Sequence, residues 1–528
     1  MTCTSIRTVS ALAGTMILLA ACSSGDDYPA PSPELAEAAT ADMAYESVAE
    51  PFLPPHVERS ERYDGEDVSP VRRVSEAPVS TFGVDVDTGA YANTRRFLTL
   101  GQTPPRDAVR TEEMVNYFRY DYPAPTSRAQ PFTVSVDAAA SPWNREAKLV
   151  RIGLRGYDLP RAGRPPANLV FLLDVSGSMN EPDKLPLVKT ALKGLAGELG
   201  ERDRVSIVVY AGAAGLVLEP TGDAGAIRAA LDRLEAGGST AGGAGLELAY
   251  ATARAGYIDG GVNRVIVATD GDFNVGLTDR DALVEKIEAE RDSGVTLTTL
   301  GFGTGNYNEA LLEQVANHGN GNYAYIDSAR EARKVLVDEM ASTLFTIAKD
   351  VKIQVEFNPA AVSQYRLIGY ENRALREEDF ANDAVDAGDI GAGHQVTALY
   401  EVVPTGAQGW LAERRYAAGT APQAVRAGEA AEIRLRYKLP NGTTSRLVTR
   451  TLPASALDTT HAPSGDFAFA AAVAGFGQKL RGDALLSDFG WDRIAGLATA
   501  GMGARAPFHR REFVELVRTA RDTARTKG

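Results

Sequence analysis

The amino-acid sequence predicts an α/β fold: a doubly wound, mostly parallel sheet inserted in a β-sandwich-like domain, between a disordered N-terminal tether and a helical C-terminal segment. Between residues 167 and 346, short apolar runs alternate with amphipathic segments, which is typical of a parallel sheet covered by helices on both faces. Runs with the two-residue period of β-strands flank this region, at 131–166 and 350–455. The chain is therefore expected to form the first part of a β-rich domain, then the α/β domain, and then the second part of the β-rich domain.

Residues 1–22 are predicted to be a lipoprotein signal peptide. A short polar start containing Arg7 precedes an apolar run over residues 11–21, which is about half as long as a membrane-spanning helix. The run ends in Leu19-Ala20-Ala21-Cys22, which resembles the lipobox of bacterial lipoproteins, in which the cysteine becomes the lipid-bearing N-terminus. An ordinary secretory signal with an incidental cysteine is the alternative.

A lipid on Cys22 would anchor the chain at the cell envelope. Because Ser23 rather than aspartate follows the cysteine, enteric sorting rules place it, by analogy, in the outer membrane facing the periplasm if the source is Gram-negative. Residues 23–78 are predicted to be a disordered tether, since prolines interrupt them and no apolar period persists.

Composition and charge narrow the classes of function. The formal net charge is -14 without a long run of Lys or Arg, which excludes nucleic acid and anionic membrane surfaces as principal partners. The only two cysteines are Cys3 and Cys22, so the remainder of the chain has no disulfide, no thiol nucleophile and no cysteine-based zinc site. The five histidines are scattered, so a bound metal would have oxygen ligands and would be a hard ion such as Mg²⁺ or Ca²⁺.

The central region contains strand and helix candidates in alternation. The strand candidates are short, largely apolar runs at 169–173, 205–210, 265–268, 295–300 and 323–326. The helix candidates, which have apolar residues at helical spacing, lie at 185–199, 224–234, 246–254, 280–291, 309–317 and 329–345.

Three oxygen-rich loops are expected at the carboxyl edge of this sheet, where parallel sheets bind ligands. They are Asp174-Val175-Ser176-Gly177-Ser178, Gly237-Gly238-Ser239-Thr240 and Thr269-Asp270-Gly271-Asp272. Gly177 is expected to let its loop curl so that both serines face one point. Two carboxylates balance a divalent charge, and three hydroxyls complete an octahedron with water. The predicted metal ligands are therefore Asp174, Ser176, Ser178, Thr240 and Asp270.

This pattern resembles the metal-ion-dependent adhesion site of von Willebrand factor type A domains: D-x-S-x-S after a buried strand, then a threonine, then the aspartate of T-D-G. The resemblance implies a divalent metal, Mg²⁺ first and Mn²⁺ or Ca²⁺ as alternatives. It also implies an open coordination position that a Glu or Asp of a partner protein fills, and a binding module rather than an enzyme. A strand-end cluster that only caps helices is the alternative.

A longer stretch, from Ser80 to about Pro404, resembles a bacterial subfamily of type A domain lipoproteins. Its strings are STFGVDVDTGAYANTRRFL, PPRDAVRTEEMVNYFRYDYP, GFGTGNYNEALLEQVANHGNGNYAYID and KDVKIQVEFNPAAVSQYRLIGYENR. We therefore assign residues 79–130 to a family-specific N-terminal region and 167–346 to the type A domain.

The flanking segments are predicted to form one antiparallel sandwich. Strand candidates lie at 132–136, 149–154, 351–357, 396–402 and 432–437, and Asn441-Gly442 is expected to turn the chain into a strand at 447–451. The final region, 465–528, is predicted to be helical at 468–480, 485–489 and 511–521.

Asp85-Val86-Asp87-Thr88 supplies an alternative function. It resembles the nucleophile motif of haloacid-dehalogenase-type phosphohydrolases, so the chain could be a metal-dependent hydrolase that uses Asp85 and Asp87. It also begins like a calcium-binding loop, but the twelfth position is Arg96, which cannot ligate a cation. No buried strand is expected before Asp85, which disfavours catalysis. A third alternative is a structural lipoprotein whose metal stabilises the fold.

We expect Cys22→Ser to release the protein from membranes or to leave its leader uncleaved, because the lipid attachment site would be lost. Membrane fractionation of cells expressing the variant measures this. Membrane association equal to that of the wild type would contradict the lipoprotein interpretation.

Overall fold

The computed structural model describes residues 61–238, 242–271, 280–305, 307–412, 428–486, 488–503 and 506–526. The strands are β1 (Arg72–Arg73), β2 (Val79–Gly83), β3 (Phe132–Ala140), β4 (Lys148–Gly156), β5 (Ala167–Asp174), β6 (Arg204–Tyr210), β7 (Ala214–Thr221), β8 (Val262–Thr269), β9 (Thr296–Phe302), β10 (Tyr323–Ile326), β11 (Thr346–Phe357), β12 (Val362–Ile368), β13 (Ala374–Leu375), β14 (Ile390–Gly391), β15 (Gln395–Pro404), β16 (Glu429–Lys438) and β17 (Arg446–Pro453). The α-helices are α1 (Gly89–Thr99), α2 (Thr111–Asn116), α3 (Leu185–Leu195), α4 (Ala224–Asp232), α5 (Gly242–Ala255), α6 (Arg280–Asp292), α7 (Glu309–His318), α8 (Ala329–Arg333), α9 (Met340–Leu344), α10 (Gly465–Arg481), α11 (Trp491–Gly501) and α12 (Phe508–Thr526).

The central domain is the predicted doubly wound sheet, with strand order β10-β9-β8-β5-β6-β7. Its strands are parallel except for β7, which pairs antiparallel with β6. Every residue of β5 is buried. Leu169 and Leu173 enter the core shared with α3, whereas Val170 and Leu172 enter the core shared with α5. Burial on both faces explains why its run Leu169–Leu173 is uniformly apolar rather than alternating.

Two elements of the central domain differ from the prediction. Strand β7 was not predicted, because it lies at the edge of the sheet, is only partly buried and ends in Glu219-Pro220-Thr221. The helix predicted over 329–345 is divided: α8 is followed by a π-helical turn, Lys334–Asp338, and then by α9. Apolar spacing fits a continuous helix here and gives no sign of the interruption.

The flanking strands form two antiparallel sheets packed face to face. One has the order β1-β12-β15-β4-β3, and the other has the order β13-β2-β11-β16-β17, with β14 also paired to β11. Phe357 of β11 stacks on Tyr365 of β12 with ring centroids 4.4 Å apart, and Phe132 of β3 packs against Tyr437 of β16 at 4.9 Å. The α/β domain is inserted between β4 and β11, so the predicted sandwich with an insertion is confirmed.

The boundaries at the N-terminal side need two corrections. The tether predicted over 23–78 is too long, because β1 pairs with β12, Val74 is buried and the backbone of Arg62 bonds to that of Tyr307. The region assigned to 79–130 is not separate from the sandwich, because β2 lies between β13 and β11. Two-residue and five-residue strands are too short to show a period of their own.

The C-terminal helices pack against helices α1 and α2. Phe118, just after α2, contacts Phe469 of α10 with centroids 4.9 Å apart, and Phe469 contacts Phe513 of α12 at 5.4 Å. The segment predicted as helical over 485–489 is a short 3₁₀ turn, Ala484–Leu486. In the part of the chain that the structure describes, no helix combines the length and the apolar character needed to cross a bilayer.

A buried acidic group lies where α7 meets the N-terminal region. Glu309 begins α7 and is fully buried, and neither of its carboxylate oxygens has a hydrogen-bond partner among the described residues. Arg110 Nη2 lies 4.0 Å from Glu309 Oε2, but it is only 2.6 Å from Glu313 Oε2. Burial raises the pKa of Glu309 to about 8, against the opposing charge of Arg110. Burial without a hydrogen-bonding partner therefore favours the protonated form of Glu309 in the folded protein.

We expect Glu309→Gln to stabilise the protein above neutral pH. The folded-state pKa lies above the ordinary value of 4.5, so the stability of the neutral carboxyl is complete below that value and is lost as the pH rises through about 8. Glutamine imitates the neutral carboxyl and does not titrate. The free energy of unfolding of the wild type should fall relative to the variant by up to about 1.4 kcal/mol per pH unit in this window, measured by urea denaturation at several pH values.

Glu285→Gln is the matched control, because Glu285 lies exposed on α6. Its difference from the wild type should not change over the same pH range. Parallel pH curves for the wild type and Glu309→Gln would show that Glu309 is ionised in the folded state.

Candidate metal centre

The carboxyl ends of β5 and β8 place two aspartates at the same edge of the central sheet. The two strands are adjacent and parallel, with Leu173 opposite Ala268. Asp174 is the last residue of β5 and Asp270 follows the last residue of β8, and both side chains are fully buried. The register of the sheet therefore brings together two of the predicted ligands.

The loop after β5 is held by bonds to its own aspartate and to the neighbouring loop. The Ser176 N–H donates to Asp174 Oδ1 at 2.9 Å, and Thr269 Oγ1 donates to Asp174 Oδ2 at 3.2 Å. The Gly177 N–H donates to the Gly238 carbonyl at 3.0 Å. Gly177 itself has no left-handed φ, whereas Gly238 has a φ of +86°. The left-handed backbone conformation that glycine permits is therefore adopted by Gly238, and the expectation that Gly177 would need it is not met.

The two serine hydroxyls lie together. Ser176 Oγ and Ser178 Oγ are 3.1 Å apart, with Ser176 buried and Ser178 exposed. The two hydroxyls therefore extend from the buried Ser176 to the protein surface at Ser178. The other predicted ligand, Thr240, lies outside the described residues, as do Ser239, Asp272 and Cys22. We call Asp174, Ser176, Ser178 and Asp270 the strand-end site.

Lys184 belongs to the same site but was missed by the sequence analysis. Its Nζ donates to Asp270 Oδ2 at 2.9 Å, and the residue is only 6% exposed. It precedes α3, and its aliphatic stem packs so closely on Gly303 that a Cβ there would lie 2.4 Å from Lys184 Cε. No spacing in the sequence relates a lysine before a helix to an aspartate after a distant strand, so only the folded chain reveals the pair.

The electrostatics of the site favour a cation. Burial raises the pKa of Asp174, and the charge of Asp270 adds to this effect, whereas hydrogen bonds from Ser176 oppose it. Lys184 neutralises one of the two carboxylates, so the site keeps a net negative charge. A divalent ion would relieve the remaining desolvated charge.

The donor set fits a hard divalent ion. Two carboxylates and two hydroxyls, all oxygen donors, converge on one edge, and Mg²⁺ commonly takes one or two carboxylates and fills the rest of its shell with water. Among the described residues, no group of three or more His, Cys, Asp or Glu side chains is arranged to hold a metal. An ion at the strand-end site would therefore depend on the serine hydroxyls and on water.

Asp85 and Asp87 lie elsewhere, in the loop between β2 and α1. Contrary to the expectation from the sequence, a strand with a fully buried Phe82 precedes them. Arg373 Nη2 contacts Asp85 Oδ1 at 3.3 Å and Asp87 Oδ2 at 3.1 Å. The Asp87 N–H donates to Asp85 Oδ1 at 3.0 Å. Asp85 Oδ1 therefore accepts from both Arg373 and the Asp87 N–H. None of the residues of the strand-end site lines the cavity beside Asp85 and Asp87.

Comparisons with known proteins cover most of the chain. The family profile "von Willebrand factor" matches residues 57–151, "von Willebrand factor type A domain" matches 168–339, and "Uncharacterized protein YfbK, C-terminal" matches 342–523. A solved von Willebrand factor type A protein from Catenulispora acidiphila is 16% identical, with 76% of this chain and 91% of that chain covered at a TM-score of 0.41.

Two relatives are similar in sequence. The protein sll0103 of Synechocystis is 34% identical over 200 residues, which covers 38% of this chain and 46% of that protein. YfbK of Escherichia coli K12 is 46% identical over 468 residues, which covers 87% of this chain and 81% of YfbK. This chain therefore belongs to the YfbK family of bacterial proteins, which is built around a von Willebrand factor type A domain.

Proposed function

We propose that this protein is a non-enzymatic, metal-dependent protein-binding module, serving adhesion or scaffolding at the bacterial cell envelope. Type A domains commonly bind a divalent metal, and the family often mediates metal-dependent protein interactions. The observation that carries the proposal is the strand-end site, in which Asp174 and Asp270 are buried and Ser178 is exposed beside them. A bound ion would be reachable from outside through its hydroxyl side.

The charge balance of the strand-end site explains why such an ion would attract a partner. Ser176 and Ser178 are neutral donors, and Asp270 already pairs with Lys184. A divalent ion there would keep net positive charge and would attract a Glu or Asp side chain of the partner protein. We propose Mg²⁺ as the ion, with Mn²⁺ and Ca²⁺ as alternatives, and Thr240 as a further hydroxyl ligand on the basis of the sequence pattern.

A binding role suits the chemistry of these residues better than a catalytic one. Lys184 donates to Asp270 as an ammonium group and is therefore not placed as a general base. Among the described residues, the serines contact each other rather than a histidine that could activate them. The envelope location rests on the sequence around Cys22, whose lipid would tether the folded part to the membrane.

We expect Asp174→Ala to remove one bound divalent ion and to abolish partner binding. Loss of one of two carboxylates leaves the ion under-compensated. The measurement is crosslinking and pull-down with the full chain in Mg²⁺ or in EDTA, followed by mass spectrometry of what is captured. Asp259→Ala, which removes an exposed loop carboxylate, is the control and should capture the same partner as the wild type.

Thr240→Ala should weaken partner binding more than metal binding. Thr240 supplies one hydroxyl among six ligands, so it contributes little metal affinity but borders the open coordination position. If partner binding is unchanged by EDTA, by Asp174→Ala and by Thr240→Ala, the metal has only a structural role and the adhesion proposal is refuted.

We expect Lys184→Met to make the stability of the protein depend on the metal. Without the ammonium, Asp270 is a buried carboxylate lacking its cation, which destabilises the ion-free protein. The same loss removes a competitor for Asp270, so Mg²⁺ should bind about tenfold more tightly, equivalent to about 1.4 kcal/mol. The rise in melting temperature on adding Mg²⁺ should be larger in the variant than in the wild type. An equal rise in both proteins would show that Lys184 and the ion do not share Asp270.

A further inference from the structure

A short extended segment, Glu61–Tyr63, crosses the loop after β9, and we call it the strap. Arg62 forms an isolated parallel bridge with Asn308 of that loop. The Arg62 N–H donates to the Tyr307 carbonyl at 2.9 Å, and the Glu309 N–H donates to the Arg62 carbonyl at 3.1 Å. Both backbone polar groups of Arg62 are therefore bonded to the loop, although the residue itself is exposed.

The side chain of Glu61 fastens the strap. It is only 4% exposed, and its two oxygens accept hydrogen bonds from the guanidinium of Arg96 at 2.9 and 3.0 Å. The Gly305 N–H, in the same loop, donates to Glu61 Oε1 at 3.2 Å. Arg96 is held in turn by Asn93 Oδ1, which accepts from Nε at 3.0 Å. A buried two-point pair of this kind has a fixed geometry, so the strap has one defined docked position.

The loop after β9 also contacts the strand-end site. The aliphatic stem of Lys184 packs on Gly303, where an added Cβ would lie 2.5 Å from Lys184 Cγ. Gly271, the residue after Asp270, approaches the loop as well, since a Cβ on Gly271 would lie 2.5 Å from the Asn308 nitrogen. The loop is therefore in contact with the strap, with Lys184 and with the chain beside Asp270.

A second route joins the strap to Gly303. The Tyr325 hydroxyl donates to the Gly303 carbonyl at 2.6 Å, and the Arg96 guanidinium lies 5.4 Å from the centre of the Tyr325 ring. Glu61 thus acts, through Arg96 and Tyr325, on the same glycine that borders the stem of Lys184. The position of Lys184 and the docking of the strap therefore depend on a shared loop.

Lys184 must move if a divalent ion is to use Asp270 fully. Its Nζ lies 2.9 Å from Asp270 Oδ2, where it competes with a cation for the same oxygen. Lys184 is buried, so withdrawal of the ammonium shifts a closely packed stem against Gly303. The strap opposes a shift of the loop, because its bonds hold the loop backbone at Gly305 and Tyr307.

We propose that the strap regulates the strand-end site. The docked strap holds the loop and favours the contact of Lys184 with Asp270, whereas release of the strap lets Lys184 withdraw and strengthens ion binding. The coupling is reciprocal, so ion binding favours release by the same factor. This regulation rests on the metal site of the proposed function. In that function the residues before the strap lead to the lipid on Cys22, so tension between membrane and partner would release the strap and strengthen the grip.

The affinity of the full chain for Mn²⁺, measured by equilibrium dialysis, tests the coupling. Glu61→Gln removes the charge that holds Arg96 and should tighten Mn²⁺ binding about fivefold, at the lower end of typical coupling between sites. Arg62→Pro should act in the same direction, because proline lacks the N–H that donates to Tyr307. Glu66→Gln, at an exposed position just after the strap, is the matched control and should leave the affinity unchanged.

Cleavage by trypsin after Arg62 reports the strap itself. Both backbone polar groups of Arg62 are bonded in the docked strap, so cleavage follows the population of the released form. Saturating Mn²⁺ should accelerate cleavage of this bond in the wild type about fivefold, as reciprocity requires. Mass spectrometry locates the cut. Asp174→Ala, which lacks a ligand of the ion, should show no acceleration.

A double-mutant cycle tests the route through Lys184. In Lys184→Met no ammonium has to leave Asp270, so adding Glu61→Gln should no longer change the Mn²⁺ affinity. An effect of Glu61→Gln as large as in the wild type would overturn this route and with it the proposed regulation.

The remaining outcomes separate the regulation from the metal-dependent function. Equal Mn²⁺ affinities in the wild type, Glu61→Gln and Arg62→Pro, with the ion lost in Asp174→Ala, overturn the regulation and leave the proposed function intact. A wild-type chain that binds no Mn²⁺ overturns both. Thermal unfolding shows whether each variant folds, and Arg62→Pro, which keeps Glu61, carries the test if Glu61→Gln does not fold.

Discussion

The complete burial of β5 on both faces is the constraint on which the central domain depends. Alternate side chains of this strand enter two different cores, so it offers no solvent-facing position for a polar group along its length. Asn168 near its start is buried with its amide bonded to Ala253 and Asn263, and the next polar side chain is Asp174 at the carboxyl end. Because β8 runs parallel beside it, Asp270 arrives at the same edge. Both aspartates therefore sit in a desolvated environment, where a counter-ion matters most.

Buried arginines join the central domain, the sandwich and the terminal helices. Arg95 of α1 contacts Asp327 at 2.7 Å, Glu331 of α8 at 2.8 Å and Glu512 of α12 at 3.0 Å. Arg366 of β12 contacts Glu401 at 3.0 Å and Asp483, just after α10, at 2.6 Å. Replacing such pairs by apolar residues often leaves stability unchanged, whereas breaking one leaves an uncompensated charge. Breaking any one of these pairs is therefore expected to destabilise the contact between the elements that it joins.

Features with their own sequence signal were predictable, and features created by folding were not. Each apolar strand, each alternating strand and the D-x-S-x-S loop has a recognisable pattern within a short stretch of chain. The order of these patterns along the chain predicted the sandwich with its insertion. Strands β1 and β7 are short or partly exposed, so they lack that signal. Lys184 meets Asp270 only because two distant segments end at one edge. The buried strand before Asp85 was not predicted, because the burial of Phe82 depends on neighbours that are remote in the sequence.

The insertion of the central domain has a consequence for the order of folding. The sandwich needs β1 to β4 from before the insertion and β11 to β17 from after it, so its sheets cannot close until the whole insertion has emerged. The central domain has its strands in one continuous stretch of chain, and local contacts form faster than distant ones. We therefore expect the central domain to complete its sheet first, while the edges of the early sandwich strands are still unpaired. A helper protein that shields those edges during synthesis would act on β1 to β4, before strands β11 to β17 exist.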